Sequence, residues 1–330
     1  MLDNEKTPDI QNEQFDESKR DNKEKFQNND ENFTHEELPE DKKENFNNPD
    51  MSINLDETEV NKNESNDETS SKGIKAGIDM YISGGTITIT STGHSIHSNG
   101  TLNIDGGNIT TVSEKCKGIT SDDNLTINGG DITIEKAYEG IESKQNITFN
   151  GGNINISTSD DGINSTGCLA FNGGNINVTS AGNDAIDANG GDITINGGEI
   201  IAIGTSTPDG GIDCDNNKVI INGGSLFIAG GTNSSISEES KQNVLVFDSS
   251  EIIGNDISIK TEDNEINLYK INNTTLNSGQ VIISSPEINS ETDYTINIDN
   301  KKIYTITALK GITNESTSQE MMQQPGHNIK

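Results

Sequence analysis

The sequence predicts an all-β fold, a right-handed parallel β-helix of about seven turns, because two short patterns recur together in it about every 22 residues. The first is a double glycine followed by an alternating strand, and it begins at Gly84, Gly106, Gly129, Gly151, Gly173, Gly197 and Gly223. The second is a short element, usually Gly-Ile-x-Ser or Gly-Ile-x-Ala, centred on Ile74, Ile96, Ile119, Ile141, Ile163, Ile186 and Ile212. A segment that repeats itself in this way stacks its copies along one axis, so each copy predicts one turn.

Each turn is predicted to contain three short strands, as residues 140–160 (GIESKQNITFNGGNINISTSD) illustrate. The first strand carries Ile141, the second covers residues 146–149, and the third covers residues 153–156. Alternation at period two directs one side chain in two into the coil. In this turn the predicted inward side chains are Ile147, Phe149, Ile154 and Ile156.

The glycine pair is predicted to form the corner between the second and third strands, where a Cβ atom would clash or a positive φ is required. The residue just before the pair is usually Asn or Asp. In stacked turns these side chains should form a ladder in which each amide bonds the next, about 4.8 Å away. The predicted members of this ladder are Asp105, Asn128, Asn150, Asn172, Asn196 and Asn222.

Composition divides the chain around this coil, which is predicted over residues 73–231. Residues 1–72 are rich in Asn, Asp, Glu and Lys and show no sustained apolar period, so we predict a disordered acidic tract. Residues 232–243 are predicted to be a linker, residues 244–310 a small antiparallel β module that caps the last turn, and residues 311–330 a disordered tail. Because a full turn follows the tract directly, we expect that further turns and an export signal precede this chain.

The formal net charge of −32 disfavours nucleic acids and anionic membrane surfaces as partners, because both require an excess of Lys and Arg. The same charge favours cations. No apolar run reaches the roughly 18 residues that a membrane span requires, and the first residues show no secretory signal. The three cysteines, Cys116, Cys168 and Cys214, occupy different places in the repeat, so we predict that they are free thiols.

Stacking converts positions of the repeat into columns of side chains about 4.8 Å apart. From the fourth turn on, two columns are mostly acidic: the one just after the Ile anchor and the one two positions before it. Like charges on neighbouring strands repel unless something neutralises them. Oxygen ligands at this density, without clustered His or Cys, suit Ca²⁺. The predicted calcium ligands are Glu139, Glu142, Asp161, Asn164, Asp184, Asp187 and Asp213.

An alternative interpretation is that these residues are Asp-Gly and Asn-Gly turn residues that face water, which would account for Asp161 and Asp209. His94 and His97 flank Ile96 and are chemically able to bind a metal. Neither has a second histidine in its own column, so we interpret both as exposed polar residues.

The segments YEGIES, SDDGINS and NDAIDA, each leading into an x-I-T-I-N-G-G type of corner, resemble the clostridial secreted carbohydrate-binding family of right-handed β-helix proteins. The resemblance covers roughly residues 72–310, including the stretch VIISSPEINSETDYTINI. It implies a calcium-containing β-helix, akin in shape to pectate lyases, that binds polygalacturonate and cellulose in the medium or on a cell surface. The sequence departs from the family in lacking a visible signal and early turns.

We therefore predict non-catalytic, calcium-dependent binding of an acidic, plant-type polysaccharide by a monomer. Calcium held by the acidic columns would bridge to uronate carboxylates. Neutral sugars such as those of cellulose usually need stacking aromatic side chains, and the coil has no Trp and only Tyr81 and Tyr138, so we rank uronate polymers first.

Two other function classes remain open. A pectate lyase on the same fold would need calcium and a basic side chain, for which Lys144 is the candidate by position, and a hydrolase would need two carboxylates in different environments. Equally spaced carboxylates favour a cation site over a catalytic pair, so we predict no catalytic residue. The third class is a cell-surface adhesin or structural spacer.

Overall fold

The computed structural model describes residues 71–249, 252–261, 265–276, 279–299 and 301–314, and two short strands nearer the start of the chain. Those two strands are β1 (Glu44–Asn45) and β2 (Met51–Asn54). The strands of the first four turns are β3 (Ile74–Ala76), β4 (Met80–Ile82), β5 (Thr86–Ser91), β6 (Ile96–Ser98), β7 (Leu102–Ile104), β8 (Asn108–Ser113), β9 (Ile119–Ser121), β10 (Leu125–Ile127), β11 (Asp131–Ala137), β12 (Ile141–Ser143), β13 (Ile147–Phe149) and β14 (Asn153–Thr158). The next three turns contain β15 (Ile163–Ser165), β16 (Leu169–Phe171), β17 (Asn175–Ser180), β18 (Ile186–Ala188), β19 (Ile193–Ile195), β20 (Glu199–Ile203), β21 (Ile212–Asp213), β22 (Val219–Ile221) and β23 (Ser225–Gly230). After the coil come β24 (Val244–Ser249), β25 (Ile252–Lys260), β26 (Glu265–Leu276), β27 (Gly279–Ser284), β28 (Thr292–Ile298), β29 (Lys301–Ala308) and β30 (Ile312–Asn314).

The predicted coil is confirmed as a β-solenoid in which the three strands of each turn stack into three parallel sheets. Sheet A runs from β1 through β4 and β7 to β22, and sheet C runs from β3 through β6 to β21. Sheet B runs from β2 through β5 to β23 and continues into the C-terminal strands. The register pairs equivalent residues, so that Ile141 of β12 lies between Ile119 of β9 and Ile163 of β15. Residues at the same position of successive turns therefore form a straight column of side chains.

The core is a set of apolar columns along the axis of the coil. The four side chains predicted to point inward in the fourth turn are all buried, and none is more than 4% exposed. The rings of Phe149 and Phe171 stack with centroids 4.9 Å apart and an interplanar angle of 4°. One inward residue in two is enough to fill the coil, because each turn is closed above and below by its neighbours.

The glycine corner and the amide ladder are also confirmed. The second glycine of each pair has a positive φ, for example 98° at Gly152, where a Cβ atom would lie 3.0 Å from the carbonyl oxygen of Gly130. Beside it, each Asn side chain donates from Nδ2 to the Oδ1 of the preceding turn. The donor to acceptor distances are 2.6, 2.7, 2.8, 2.9 and 2.9 Å from Asn128 to Asn222.

The start of the coil differs from the sequence prediction. Most of the tract 1–72, which we predicted to be disordered, lies outside the described residues. Within it, β1 pairs in parallel with β4 and β2 pairs in parallel with β5, so sheets A and B begin one strand earlier than predicted. The Ile anchor of the next turn, Ile74, is then the first strand residue of sheet C.

The predicted small antiparallel module is confirmed as sheet D, and other C-terminal strands extend sheet B. Strands β25, β26, β28 and β29 make a four-stranded antiparallel sheet, sheet D. Strands β27, β24 and β30 instead extend sheet B, and β27 runs antiparallel to β23. Strand β30 falls inside residues 311–330, where the sequence predicted a disordered tail, and the rest of that tail lies outside the described residues.

Residues 232–243, predicted to be a linker, close the last turn of the coil. The side-chain oxygen of Asn233 accepts from the backbone N–H groups of Gly211 (2.7 Å) and Ile212 (3.1 Å) at the end of sheet C. The Ser240 hydroxyl oxygen accepts from the N–H of Ile221 (3.0 Å) at the end of sheet A. Side chains thus satisfy donors that a further turn would otherwise bind.

Candidate cation and carbohydrate site on sheet C

The outer side of sheet C carries the two predicted charged columns. In the column after the Ile anchor, the strand register places Glu142 beside Asn164, Asn164 beside Asp187, and Asp187 beside Asp213. In the column before the anchor, the backbone carbonyls of Glu139, Asp161 and Asp184 accept from the N–H groups of Gly118, Gly140 and Gly162 in the turns before them. Both columns therefore have the predicted order.

The first turns of this face are basic, and the interpretation of the two histidines as exposed residues was wrong. His97 is buried, with Lys72 against its Nδ1 and its Nε2 3.4 Å from an oxygen of Asp122. His94 is half-buried, and its ring centroid lies 5.4 Å from that of His97. Burial, followed by the nearby charge of Lys72, lowers the pKa of His94 to about 4, so this ring is neutral at physiological pH.

Lys117 separates the basic turns from the acidic ones. Its ammonium group lies 3.2 Å from Oε2 of Glu139 and also forms an ion pair with Glu142. Burial lowers the pKa of Lys117, but the hydrogen bond to Glu142 and the charges of both glutamates outweigh it and raise the pKa. Burial, helped by the charges of Glu142 and Asp160, raises the pKa of Glu139 despite the attraction of the same lysine. Two of the seven predicted calcium ligands are therefore engaged by a lysine.

Three aspartates in the following turns are buried next to one another. Asp161 is 4% exposed, Asp184 is 8% and Asp187 is 9%. Burial, and then the charges of neighbouring aspartates, raise the pKa of Asp161 to about 8. Burial is also the main cause that raises the pKa of Asp184 to about 7 and that of Asp187 to about 6. Asp161 does not face water, so the turn-residue interpretation fails for it.

Polar contacts hold these carboxylates in place. Asp161 accepts from Nδ2 of Asn164 (2.9 Å) and from the N–H of Asp184 (3.2 Å). The carboxylate of Asp184 accepts from the N–H of Gly210 at 2.5 Å. Asn189 donates to Asp187 (2.7 Å), and the hydroxyl of Ser234 donates to Asp213. All of these hydrogen-bond partners are neutral, so they position the carboxylates while the mutual repulsion of the carboxylates persists.

The donor set fits a hard cation, since Asp161, Asn164, Asp184, Asp187 and Asp213 offer only oxygen atoms over consecutive turns. Within the described residues, however, no three His, Cys, Asp or Glu side chains already converge as a metal centre. Oxygen donors of this kind suit calcium. Because the described side chains do not already converge on one point, calcium binding remains a prediction.

The described cysteines form no disulfide, as predicted.

Lys144, the sequence-based candidate for a lyase base, lies away from the buried aspartates. Its Nζ is 2.6 Å from Oδ1 of Asp122, on the basic side of the face, and the side chain is exposed.

None of the described segments is a helix of the length and apolarity needed to cross a bilayer.

The ion pairs of Lys117 and the burial of the aspartates were not predicted from the sequence. The ion pairs had a signal, because Lys117 stands one turn before Glu139 in the same column. The burial had none, because the repeat places these aspartates in columns without specifying how much of each side chain is covered.

Comparison with known protein families supports a carbohydrate as the class of ligand. A family described as carbohydrate-binding domain-containing protein matches residues 40–115 and 113–292, which is most of the chain. No curated protein and no solved structure matches it.

Proposed function

Because this chain belongs to the family of carbohydrate-binding domain-containing proteins, we propose that its solenoid binds an acidic polysaccharide through calcium held on sheet C. Family membership and fold support polysaccharide binding in general. The choice of an acidic polymer and of calcium comes from the charge of the chain and from the aspartates.

The observation that carries the proposal is the burial of Asp161, Asp184 and Asp187 side by side, with no basic partner among the residues that the structure describes. Keeping three carboxylates in such a position costs free energy, because burial disfavours their charged forms and each disfavours the others. A divalent cation would remove that cost by restoring the charged forms. We assign the cation to these three residues with Asn164 and Asp213 as further oxygen donors, and we assign Glu139 and Glu142 to Lys117.

An acidic polysaccharide remains a possible ligand of this acidic protein because bound calcium would bridge the two negatively charged partners. A protein with a net charge of −32 repels a polyanion over its whole surface. Bound calcium would supply positive charge that uronate carboxylates can ligate, since it accepts six to eight oxygens in flexible geometry. Polygalacturonate is the ligand we propose first, and the protein would act outside the cell, where calcium-binding modules work at about 10⁻⁴ to 10⁻³ M calcium.

The test is retention of the full chain on immobilised polygalacturonate with calcium or with a chelator, combined with calorimetric calcium titration. Asp161→Asn together with Asp187→Asn should abolish both calcium binding and retention. Asp131→Asn is the matched control, because Asp131 is an exposed aspartate of sheet B whose hydrogen bond from Asn153 an asparagine oxygen can keep. Retention that resists chelator would refute the calcium bridge. Release of unsaturated product from the polymer would point to a lyase instead.

A further inference from the structure

Strand β11 carries a bulge on the outer face of sheet B that no neighbouring turn shares. Against β14, Ile134 pairs with Ile156 and Ala137 with Thr158, so Glu135 and Lys136 together oppose one residue. Against β8 the register shifts at the same place. Glu135 and Lys136 both point outward as a result. Bulges are rare in parallel pairs and often re-aim side chains next to functional sites.

A groove lies beside this bulge. One depression of about 310 Å³ is lined by outward side chains of β11, β14 and β17, namely Thr133, Glu135, Asn155, Ser157, Asn177 and Thr179. A second, of about 210 Å³, shares Glu135 and Ser157 and extends to Tyr138. The two form one groove that crosses the strands from the end of β8 to β17, a distance of about 14 Å at the usual strand spacing. Its walls present hydroxyl and amide groups in rows.

Tyr138 stands at one end of the groove with its ring open to solvent. It is 49% exposed, and Ile78, at 45%, is the other strongly exposed large apolar or aromatic side chain whose surroundings the structure describes. The carboxylate of Asp160 raises the pKa of the hydroxyl of Tyr138. Its backbone N–H donates to the carbonyl of Cys116 (2.7 Å), and its carbonyl accepts from the N–H of Asp160 (2.9 Å). The backbone of Tyr138 is therefore anchored between two turns, and its ring is exposed at the end of the groove.

The groove differs in charge from the face of sheet C. Its charged residues are two glutamates and two lysines, which balance, and the Nζ of Lys136 lies 2.5 Å from Oε2 of Glu114. A groove without net charge, with an exposed aromatic ring and rows of hydroxyl and amide groups, matches the chemistry of a neutral sugar. Such sugars stack an apolar ring face on an aromatic side chain and hydrogen-bond through their hydroxyls.

We propose that this groove is a second saccharide site, in which a neutral pyranose stacks on Tyr138 and adjoining units bond the Asn and Ser side chains of β14 and β17. The inference rests on the carbohydrate-binding part of the proposed function and is independent of calcium. Since Tyr138 immediately precedes Glu139 in the chain, the neutral site and the acidic face meet at this corner of the coil.

The experiment uses the full chain and two probes, a β-1,4-linked glucose hexamer and an α-1,4-linked galacturonate hexamer, each with calcium and with chelator. In chelator, Tyr138→Ala should weaken binding of the glucose hexamer by about tenfold, the loss expected for one stacking contact. Tyr138→Phe keeps the ring and removes only the hydroxyl, so it should weaken binding less. Ile78→Ala removes an equally exposed side chain elsewhere and should change nothing.

A direct readout comes from ring-labelled tyrosine, since the chain has five tyrosines and the glucose hexamer should shift the signal of Tyr138. Unchanged affinity in Tyr138→Ala, or no binding of the glucose hexamer by the wild-type chain, would overturn this inference. Asp161→Asn together with Asp187→Asn should abolish calcium-dependent galacturonate binding and spare glucose binding. If galacturonate binding proves independent of calcium while the effect of Tyr138→Ala holds, the calcium proposal fails and the groove stands.

Discussion

Replacing Asp161 by asparagine is expected to stabilise the calcium-free protein at pH 8 and to weaken its response to calcium. The carboxylate is buried and its neighbours in the column are also acidic, so removing its charge removes a cost of folding. The amide oxygen of an asparagine can still accept from the N–H of Asp184, which now lies 3.2 Å from Oδ1. The substitution removes the charge with little change in shape, and it costs one hydrogen bond, because the new side-chain NH2 group replaces the Oδ2 that accepts from Nδ2 of Asn164.

The size of the effect follows from the pKa. A rise from 3.8 to about 8 corresponds to an upper limit of about 6 kcal/mol, at 1.36 kcal/mol for each pKa unit. Asp184 and Asp187 take up protons when Asp161 is charged, and solvent screening lowers the repulsion further, so we expect about 2 kcal/mol. The folded state keeps a proton that the unfolded chain releases above about pH 4. The free energy of unfolding of the wild type thus falls as pH rises toward about 8, and the gain in the variant grows over the same window.

The assay is urea denaturation in chelator at pH 5 and pH 8, repeated in millimolar calcium, with Asp131→Asn as the control. In chelator the variant should be more stable than wild type at pH 8 and show a smaller gain at pH 5. In calcium the order should reverse, because only the wild type gains the full binding free energy. A variant that is less stable than wild type in chelator at pH 8 would refute the reasoning.

Two further predictions concern the coil itself. Asn150→Ala should lower the free energy of unfolding by about 1–3 kcal/mol, because it removes two hydrogen bonds of the ladder, whereas the exposed Asn175→Ala should have little effect. Gly152→Ala should destabilise by more than about 1 kcal/mol, since φ is 98° there, while Gly77→Ala, with open space around its Cβ position, should be neutral. Urea midpoints measure both pairs, and equal effects within either pair would contradict the assigned role.

The coil could be predicted from the sequence because each of its features is local and repeated. The inward direction of Phe149, the positive φ at Gly152 and the ladder through Asn150 all follow from position within one turn. Stacking then places Asn164 beside Asp187 without further information. A repeat supplies its own long-range contacts, because the partner of every residue lies one period away.

Features that interrupt the repeat could not be predicted. The bulge at Glu135 needs one extra residue whose place in the strand depends on the pairing on both sides. The pairing of β27 with β23, which extends sheet B, joins strands that are far apart in the sequence. The pairing of Lys117 with two glutamates depends on side-chain conformations that a column alone does not specify. The order of residues in the acidic columns was therefore predicted from the sequence, and the burial and ion pairs of their side chains were not.

The closure of the final turn bears on how molecules meet one another. A stack of parallel strands would normally offer its last backbone edge as a template for a second copy and so grow into filaments. Here the direction of β27 reverses the polarity of sheet B, and Asn233 and Ser240 occupy donors of the other two sheets. End-to-end polymerisation at this terminus is thereby opposed, and we expect molecules that share one polysaccharide strand to line up along it side-on, as separate particles.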